Sequence, residues 1–330
     1  MIRSFDWRDF GLIRRLSEHG VCFDSEAALT RGSHSLQSAV LAFLAPGVGL
    51  PTFIWRGADE DGKGDSAFGQ IQFRQGDENA RLIYLSPGYA DGGPWAALLE
   101  KLAVEAAGKG AHNLVAEVDE HSPEFEALRQ FGFAIYTRQH LWRIAWPNFT
   151  MLAEPSRLRP QQSADSLNVQ SLYTNIVPRL IQQVEPPPPR FGHGFVFEEA
   201  GDISAFFDVS RGPQGIWVQP YLHPSTFELS RFLLADLFGR FTDREAVPIY
   251  VCVRSHQDWL RSPLADLGLE AWGEQAVMVK RLAVRIGEPE FKPLPIIVGK
   301  NVTTPMIKFD PCKNESLTIS TTSFKSSQPI

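Results

Sequence analysis

The order of apolar runs in residues 81–144 restricts the folds open to this chain more than any other feature. An apolar run at residues 82–85 ends at Ser86-Pro87 and a glycine-bearing turn, which predicts a strand and a stop. Apolar residues then recur at helical spacing as far as Gly108, which predicts a helix with one buried face (Trp95, Leu98, Leu99, Leu102 and Ala106). A strand, a short helix and a long strand follow, at residues 113–118, 123–131 and 133–144. The pattern indicates an α/β unit with a mixed sheet.

The second half of the chain repeats this order at offsets of 133 to 136 residues. The matched stretches are residues 82–87 with 215–220, 113–118 with 248–253, and 128–133 with 264–269. Trp272 and Gln275 then fall on Tyr136 and Gln139. Several ordered matches indicate one duplicated unit. The predicted organisation is a domain at 1–146, a linker rich in proline and polar residues at 147–165, a second domain at 166–288, and a loosely held tail at 289–330.

The first copy contains, in order, LIYLSP, a turn with two glycines, WAALLEKL, LVAEV and EALRQFGF. This order resembles the core of the GNAT (Gcn5-related N-acetyltransferase) family. The resemblance implies two tandem GNAT-like domains, each a mostly antiparallel mixed sheet flanked by helices, and acetyl-CoA as the co-substrate. In that family, amides of an Arg/Gln-x-x-Gly-x-Gly/Ala turn at a helix start hold the pyrophosphate. Here Ala90 stands at the Arg/Gln position, Gly93 at the first glycine and Trp95 at the second.

The resemblance places the cofactor between the strands led by Tyr84 and Glu117, with the family's turn beside it. The cofactor-binding residues it implies are Tyr84, Leu85, Gly92, Gly93 and Trp95. Two alternatives stay open: Tyr84 packs in the core, and Gly92-Gly93 form a plain turn before Pro94, a residue suited to the first helical position. The matching turn of the second copy, residues 221–226, has no glycine, so that copy is predicted to be a scaffold, an interface or a binding wall.

Three residues are candidates for the chemistry of acetyl transfer, which needs a base for the amine. Glu117 interrupts an apolar strand and is a candidate base, or else a partner of an arginine or the lining of a polar groove. His121 stands where the family has an asparagine, at the end of a strand where such sheets bind ligands, or else lies on a surface turn. Tyr136 is a candidate hydrogen-bond donor or a packing residue. The family's tyrosine acid falls on Leu128, which cannot donate a proton.

Composition excludes several other classes. A net charge of −6 without a dense Lys/Arg cluster argues against a nucleic-acid partner. No apolar run approaches the roughly 18 residues of a membrane span, and the first residues lack an apolar leader, so we expect a cytoplasmic protein without a membrane partner. Cys22, Cys252 and Cys312 form no metal or redox motif and are expected to be buried hydrophobes, so no metal is predicted.

Two functions remain for a chain of this kind. The first is an acetyl-CoA-dependent N-acyltransferase, in which the first copy binds the cofactor and the acceptor is a small-molecule amine or a peptide. The second is a non-catalytic tandem GNAT-like protein that binds a metabolite or a protein partner, since fold alone does not decide function. Residues 22–33 form a polar loop that lines a site or merely connects helices. The sequence specifies neither the acceptor nor the oligomeric state.

Overall fold

A computed structural model describes residues 2–32, 39–40, 50–57, 66–73, 78–90, 93–145, 156–188, 194–241 and 247–282. These residues belong to one compact unit, Met1–Ile286. Gly92 and the predicted tail at 289–330 lie outside the described residues.

In the first half of the described chain, residues 79–144 follow the predicted order of strand, helix, strand, short helix and strand. Its elements are β1 (Ile2–Ser4), α1 (Phe10–Leu16), β2 (Val21–Cys22), α2 (Ser25–Arg31), β3 (Thr52–Arg56), β4 (Ser66–Phe73), β5 (Asn79–Ser86), α3 (Trp95–Gly108), β6 (Asn113–Val118), α4 (Pro123–Gln130) and β7 (Ala134–Ile144). The second half contains β8 (Arg159–Pro160), α5 (Ser166–Ile176), α6 (Arg179–Gln182), β9 (Phe195–Glu199), β10 (Asp202–Arg211), β11 (Ile216–Leu222), α7 (Ser230–Gly239), β12 (Ile249–Arg254), α8 (Arg261–Asp266) and β13 (Glu270–Arg281).

The strands of the described residues form one sheet in the order β1-β3-β4-β5-β6-β13-β7-β12-β11-β10-β9-β8, with β2 added on β5. The pairs β5–β6 and β11–β12 are parallel. The other pairs are antiparallel. The predicted α/β class with a mostly antiparallel mixed sheet is therefore confirmed. Because the sheet is continuous, the domain boundaries at 146 and 166 stay a prediction, and β8 lies inside the stretch assigned to the linker.

The two halves exchange their last strands. β13, from the second half, pairs with β6 of the first, and β7, from the first half, pairs with β12 of the second. β7 and β13 also pair with each other, and Gln139 lies opposite its repeat equivalent, Gln275. Packing follows the exchange, since Met278 of β13 lies in the core of the first half and Ile144 of β7 in the core of the second.

Helices cover both faces of the sheet. On one face, α3 and α4 cover the first half and α7 and α8 the second. The predicted buried stripe of α3 is confirmed, because its apolar residues are at most 3% exposed (Trp95, Leu98, Leu99, Leu102 and Ala106). On the opposite face lie α1, α2, α5 and α6. α2 reaches across to the second half, where it contacts β10 and β11.

Each half begins with the same ion pair. Arg3 on β1 donates two hydrogen bonds of 2.7 Å to Asp9, and Arg159 on β8 donates bonds of 2.7 and 2.9 Å to Asp165. Each aspartate also accepts a backbone N–H three residues before it, which fixes the turn leading into the first helix of its half. The repeat therefore extends to the first strand of both halves.

Candidate functional site

The gap between β5 and β6 is the place to which the sequence assigns the cofactor. The two strands are paired in parallel only as far as Arg81 and Val115, and they separate beyond that point. Residues 20–25, here called the inserted segment, lie between them. β2 pairs with Tyr84 and Leu85. Phe23 N–H donates to Ile83 O at 2.9 Å, and Phe23 O accepts from Glu117 N–H at 2.9 Å. The chain's own backbone therefore fills the gap.

Side chains anchor the inserted segment on both sides. The Phe23 ring is 1% exposed and meets the Trp95 indole edge-on, with centroids 5.8 Å apart. The Tyr84 hydroxyl donates to Ser17 O at 2.8 Å and accepts from Gly20 N–H at 3.1 Å. Burial raises the pKa of Tyr84, so this phenol stays protonated. Tyr84 and Leu85 are two of the predicted cofactor-binding residues. In the structure they bind the inserted segment and the residues just before it.

Backbone N–H groups of the turn between β5 and α3 are also hydrogen-bonded within the protein. Gly88 N–H donates to His19 O at 2.7 Å, and Gly93 N–H to Ala90 O at 3.0 Å. The Trp95 indole is buried, and its N–H donates to Pro87 O at 2.9 Å. A hollow of about 330 Å³ beside this turn includes Glu126 and has no basic residue in its lining (Tyr89, Ala90, Pro123, Glu126, Ala127 and Gln130). A diphosphate would meet a carboxylate there and no cation.

The three predicted catalytic residues occupy different surroundings. Glu117 is 4% exposed; its Oε2 accepts from Ser25 N–H at 2.8 Å, and its Oε1 lies 3.8 Å from Arg81. Burial, followed by the negative charge of Asp24, raises the pKa of Glu117. His121 lies exposed on the turn after β6, where its backbone N–H donates to Asp119. The buried Tyr136 hydroxyl donates to Glu185 at 2.7 Å. Within the described residues, no hydrogen bond joins the three side chains.

A set of buried polar side chains, here called the central polar network, joins the two halves. Arg254 of β12 donates to Glu185 and to Gln139 Oε1, each at 2.6 Å. Gln139 Nε2 donates to Gln275 Oε1 at 2.8 Å, and Ser25 Oγ donates to the same oxygen at 2.8 Å. Gln139 and Gln275 are equivalent positions of the repeat and were not among the predicted site residues. The recurrence of a glutamine at equivalent positions of the repeat was the available signal.

One end of this network borders a cleft of about 240 Å³, here called the central cleft. Its walls come from both halves: the inserted segment and α2, the residue after β6, and strands β7 and β13. Among the described residues, the lining is apolar on one part, acidic on another, and contains no Lys, Arg or His (Cys22, Asp24, Ser25, Ala28, Leu29, Asp119, Leu141, Trp272, Gly273, Glu274 and Gln275). Behind the lining, Arg81 lies 3.4 Å from Asp24 Oδ2, and His140 Nδ1 lies 3.1 Å from Glu274 Oε1. The charge of the lining favours a cation.

Solved structures share this architecture, although no match was found by sequence. No family model matches the sequence, and no curated protein matches it. Among solved structures, a tandem GNAT protein from the clavulanic acid biosynthesis pathway matches with a TM-score of 0.53 and 14% identity, over 85% of this chain and 98% of that one. The chain has the tandem GNAT fold. A GCN5-related N-acetyltransferase from Sphaerobacter thermophilus is similar to it as well, with a TM-score of 0.51 and 12% identity, over 85% of this chain and 95% of that one.

The first half of this tandem GNAT fold does not fit acetyl-CoA in the manner that the resemblance implies. The backbone edge of β5 at Ile83 and Leu85 is already hydrogen-bonded to the inserted segment. The turn before α3 is braced by the Trp95 indole, and Glu124 Oε1 lies 3.4 Å from the N–H of Tyr89. In the second half, Pro220 lies within β11 and has no N–H to offer a ligand.

Metal sites and membrane spans are two further classes of feature that a chain of this length can contain. His, Cys, Asp and Glu side chains in these ranges form no group of three or more that could hold a metal ion. Among the helices that the structure describes, none combines the length and the apolar character needed to cross a membrane.

Proposed function

We propose that this tandem GNAT-fold protein binds a small cationic molecule in the central cleft and transfers no acyl group to it. The observation that carries the proposal is the pair of backbone hydrogen bonds that Phe23 makes with Ile83 and Glu117, because they occupy the gap a thioester carrier would need. The central cleft is then a recess of the described residues that has polar groups of both halves in or beside its lining. Asp119 and the exposed Glu274 give its lining a negative charge, whereas the buried Asp24 is paired with Arg81 at 3.4 Å.

The size of the cleft limits the ligand. At about 240 Å³ it is smaller than the roughly 300–1,000 Å³ of pockets for drug-sized compounds, so a small metabolite is the matching class. Leu29, Leu141 and the half-exposed Trp272 supply apolar contact area for a short hydrocarbon part. A small primary amine with an apolar tail meets both requirements.

An acetyl-CoA-dependent N-acyltransferase, acting on a small-molecule amine or a peptide, is the second candidate. The fold shared with acetyltransferases favours it. It requires the inserted segment to leave the gap and Phe23 to leave the core, after which Glu117 would be free to act as the base. Tyr84, Leu85, Gly92, Gly93 and Trp95 would then border the cofactor, with His121 and Tyr136 as further candidates for the acceptor side.

Titration calorimetry of the full chain separates the two candidates. We expect heat of binding with 3-methylbutylamine and none with acetyl-CoA at millimolar concentration. The double variant Asp119→Asn/Glu274→Gln should lower amine affinity by about two- to thirtyfold, since two exposed ion pairs contribute roughly 0.2–1 kcal/mol each. Glu100→Gln/Glu199→Gln, with the same change of charge at exposed positions outside the cleft lining, is the matched control. Saturable binding of acetyl-CoA, with release of CoA when an amine is added, would establish the second candidate instead.

A further inference from the structure

We propose that the central cleft recognises a neutral carbonyl group through Gln275 Nε2, so that its ligand is an ammonium compound with an amide or ester carbonyl, of the class of an α-amino amide. This inference rests on the proposed binding of a cation in the cleft and adds a second recognition element to it. The proposal depends on how the central polar network orients two amide side chains.

Arg254 fixes the orientation of the first amide. A guanidinium has only donors, so the Gln139 atom that lies 2.6 Å from Arg254 must be the oxygen. The Cys252 thiol, 3.3 Å from the same oxygen, is a second donor. Arg254 is held in place by Glu185 on its other side and is 5% exposed. Gln139, which is fully buried, therefore directs its NH₂ group towards Gln275.

Gln139 and Ser25 in turn fix the orientation of the second amide. The Gln139 NH₂ group is a donor, so the Gln275 atom 2.8 Å away must be the oxygen. The Ser25 hydroxyl donates to that oxygen from the other side at 2.8 Å. The NH₂ group of Gln275 is consequently turned away from the network. Gln275 lines the central cleft, and within the described ranges no protein group accepts a hydrogen bond from its Nε2.

The Gln275 NH₂ group is a preoriented donor in the cleft, so a ligand that binds beside it needs an acceptor oxygen. Because Asp119 and Glu274 line the same cleft, a carboxylate on the ligand would be repelled and a neutral carbonyl would not. The ammonium group pairs with Asp119 and Glu274, and the hydrocarbon part lies against the apolar lining (Leu29, Leu141 and Trp272). An α-amino amide with an aliphatic side chain carries these three groups within a volume suited to the cleft.

Three probes with the same branched hydrocarbon end test the assignment on the unmodified full chain. They are L-leucinamide, L-leucine and 3-methylbutylamine, titrated at about pH 6.5 so that an α-amino group of pKa roughly 7.7–8.0 is protonated. We expect L-leucinamide to bind about fivefold more tightly than 3-methylbutylamine, the size of effect that one net hydrogen bond gives. L-leucine should bind more weakly than L-leucinamide by at least the same factor.

Gln275→Glu replaces the outward donors by an acceptor while an oxygen remains for Gln139 and Ser25. This variant should lose the preference for L-leucinamide over 3-methylbutylamine and keep affinity for the simple amine. Gln130→Glu, the same chemical change on the exposed end of α4, should keep the preference. The probe comparison on the unmodified chain decides the question even if Gln275→Glu does not fold.

The outcomes separate this inference from the proposed function. Equal affinity for L-leucinamide and 3-methylbutylamine, or tighter binding of L-leucine, would overturn carbonyl recognition and leave cation binding intact. Binding of neither amine would refute the proposed function and this inference together. A preference for L-leucinamide that persists in Gln275→Glu would show that another group donates the hydrogen bond to the carbonyl.

Discussion

Replacing Phe23 by alanine tests whether the inserted segment is a permanent part of the first half. The ring is 1% exposed, belongs to the core formed by α3 and the sheet, and contacts Trp95. Removing a buried phenylalanine ring costs about 3–5 kcal/mol, and the substitution leaves the two backbone hydrogen bonds of residue 23 in place. We therefore expect Phe23→Ala to lower the free energy of unfolding by about 3–5 kcal/mol, a large part of the roughly 5–15 kcal/mol of a typical domain.

Urea unfolding of the full chain, followed by circular dichroism, measures this loss. Phe10→Ala is the matched control, because Phe10 is 37% exposed at the start of α1 and its removal should cost less than about 1 kcal/mol. The reasoning is refuted if Phe23→Ala costs no more than Phe10→Ala, since the segment would then be only loosely held. Binding of acetyl-CoA by Phe23→Ala but not by the parent would show that the ring alone keeps the carrier out.

Two further changes test the strand exchange and the surroundings of β12. Met278→Ala and Ile144→Ala each remove a buried side chain at a cost of about 2–5 kcal/mol. By hydrogen exchange, Met278→Ala should deprotect α3 more than α7, although it lies in the last strand of the chain, and Ile144→Ala should do the reverse; the opposite pattern would contradict the exchange. Burial, followed by the charge of Arg254, lowers the pKa of His256 to about 4. The unfolded chain then binds more protons than the folded one between about pH 4 and 6.5, and stability falls as the pH falls through this window. His256→Gln should remove up to about 3 kcal/mol of that fall in denaturant unfolding, and an unchanged acid profile would show that His256 is not its source.

The elements of the fold were predictable because their signals are local. The apolar stripe of α3 and the glycines that end the helices follow from spacing within one element. One match in the repeat was wrong in register. The match of residues 82–87 with 215–220 aligns Pro87 with Pro220. The parallel pairs instead place Ala80 opposite Leu114 and Ile216 opposite Ile249, so Ala80 is the equivalent of Ile216, three residues away from that match. Pro220 lies within β11, whereas Pro87 follows β5.

The strand exchange was not predictable from either copy. An alternating or apolar pattern specifies which face of a strand is buried and does not specify its neighbour. β7 and β13 descend from equivalent stretches of the repeat, so each presents a surface suited to either half. The inserted segment was not predicted, for a related reason. β2 is two residues long, and its partners on β5 lie more than 60 residues along the chain, so the polar stretch at 22–33 carried no strand signal.

The alternatives left open for the candidate site residues were separated by contacts that no single stretch contains. Glu117 has both an arginine neighbour, Arg81, and a place beside the inserted segment. Tyr136 is packed and also hydrogen-bonded to Glu185, a residue of the second half. Both partners come from distant positions, so spacing within the first copy could not reveal them. The Gln139–Gln275 pair is the exception, because antiparallel pairing of two equivalent strands places one residue opposite its own equivalent, and here that residue is Gln139.

The exchange of strands also accounts for the position of the central cleft. Leu141 comes from β7, Trp272 and Gln275 come from β13, and the opposite wall comes from residues 22–29. That wall is tied to the second half, since Ser210 donates to Glu26 at 2.6 Å and Gln214 N–H donates to Thr30 O at 2.9 Å. A piece of the chain limited to residues 1–146 would lack one side of the cleft together with the strand that borders β6. Ligand binding in the cleft must therefore stabilise the association of the two halves, because a molecule that binds only the assembled form shifts the equilibrium towards it.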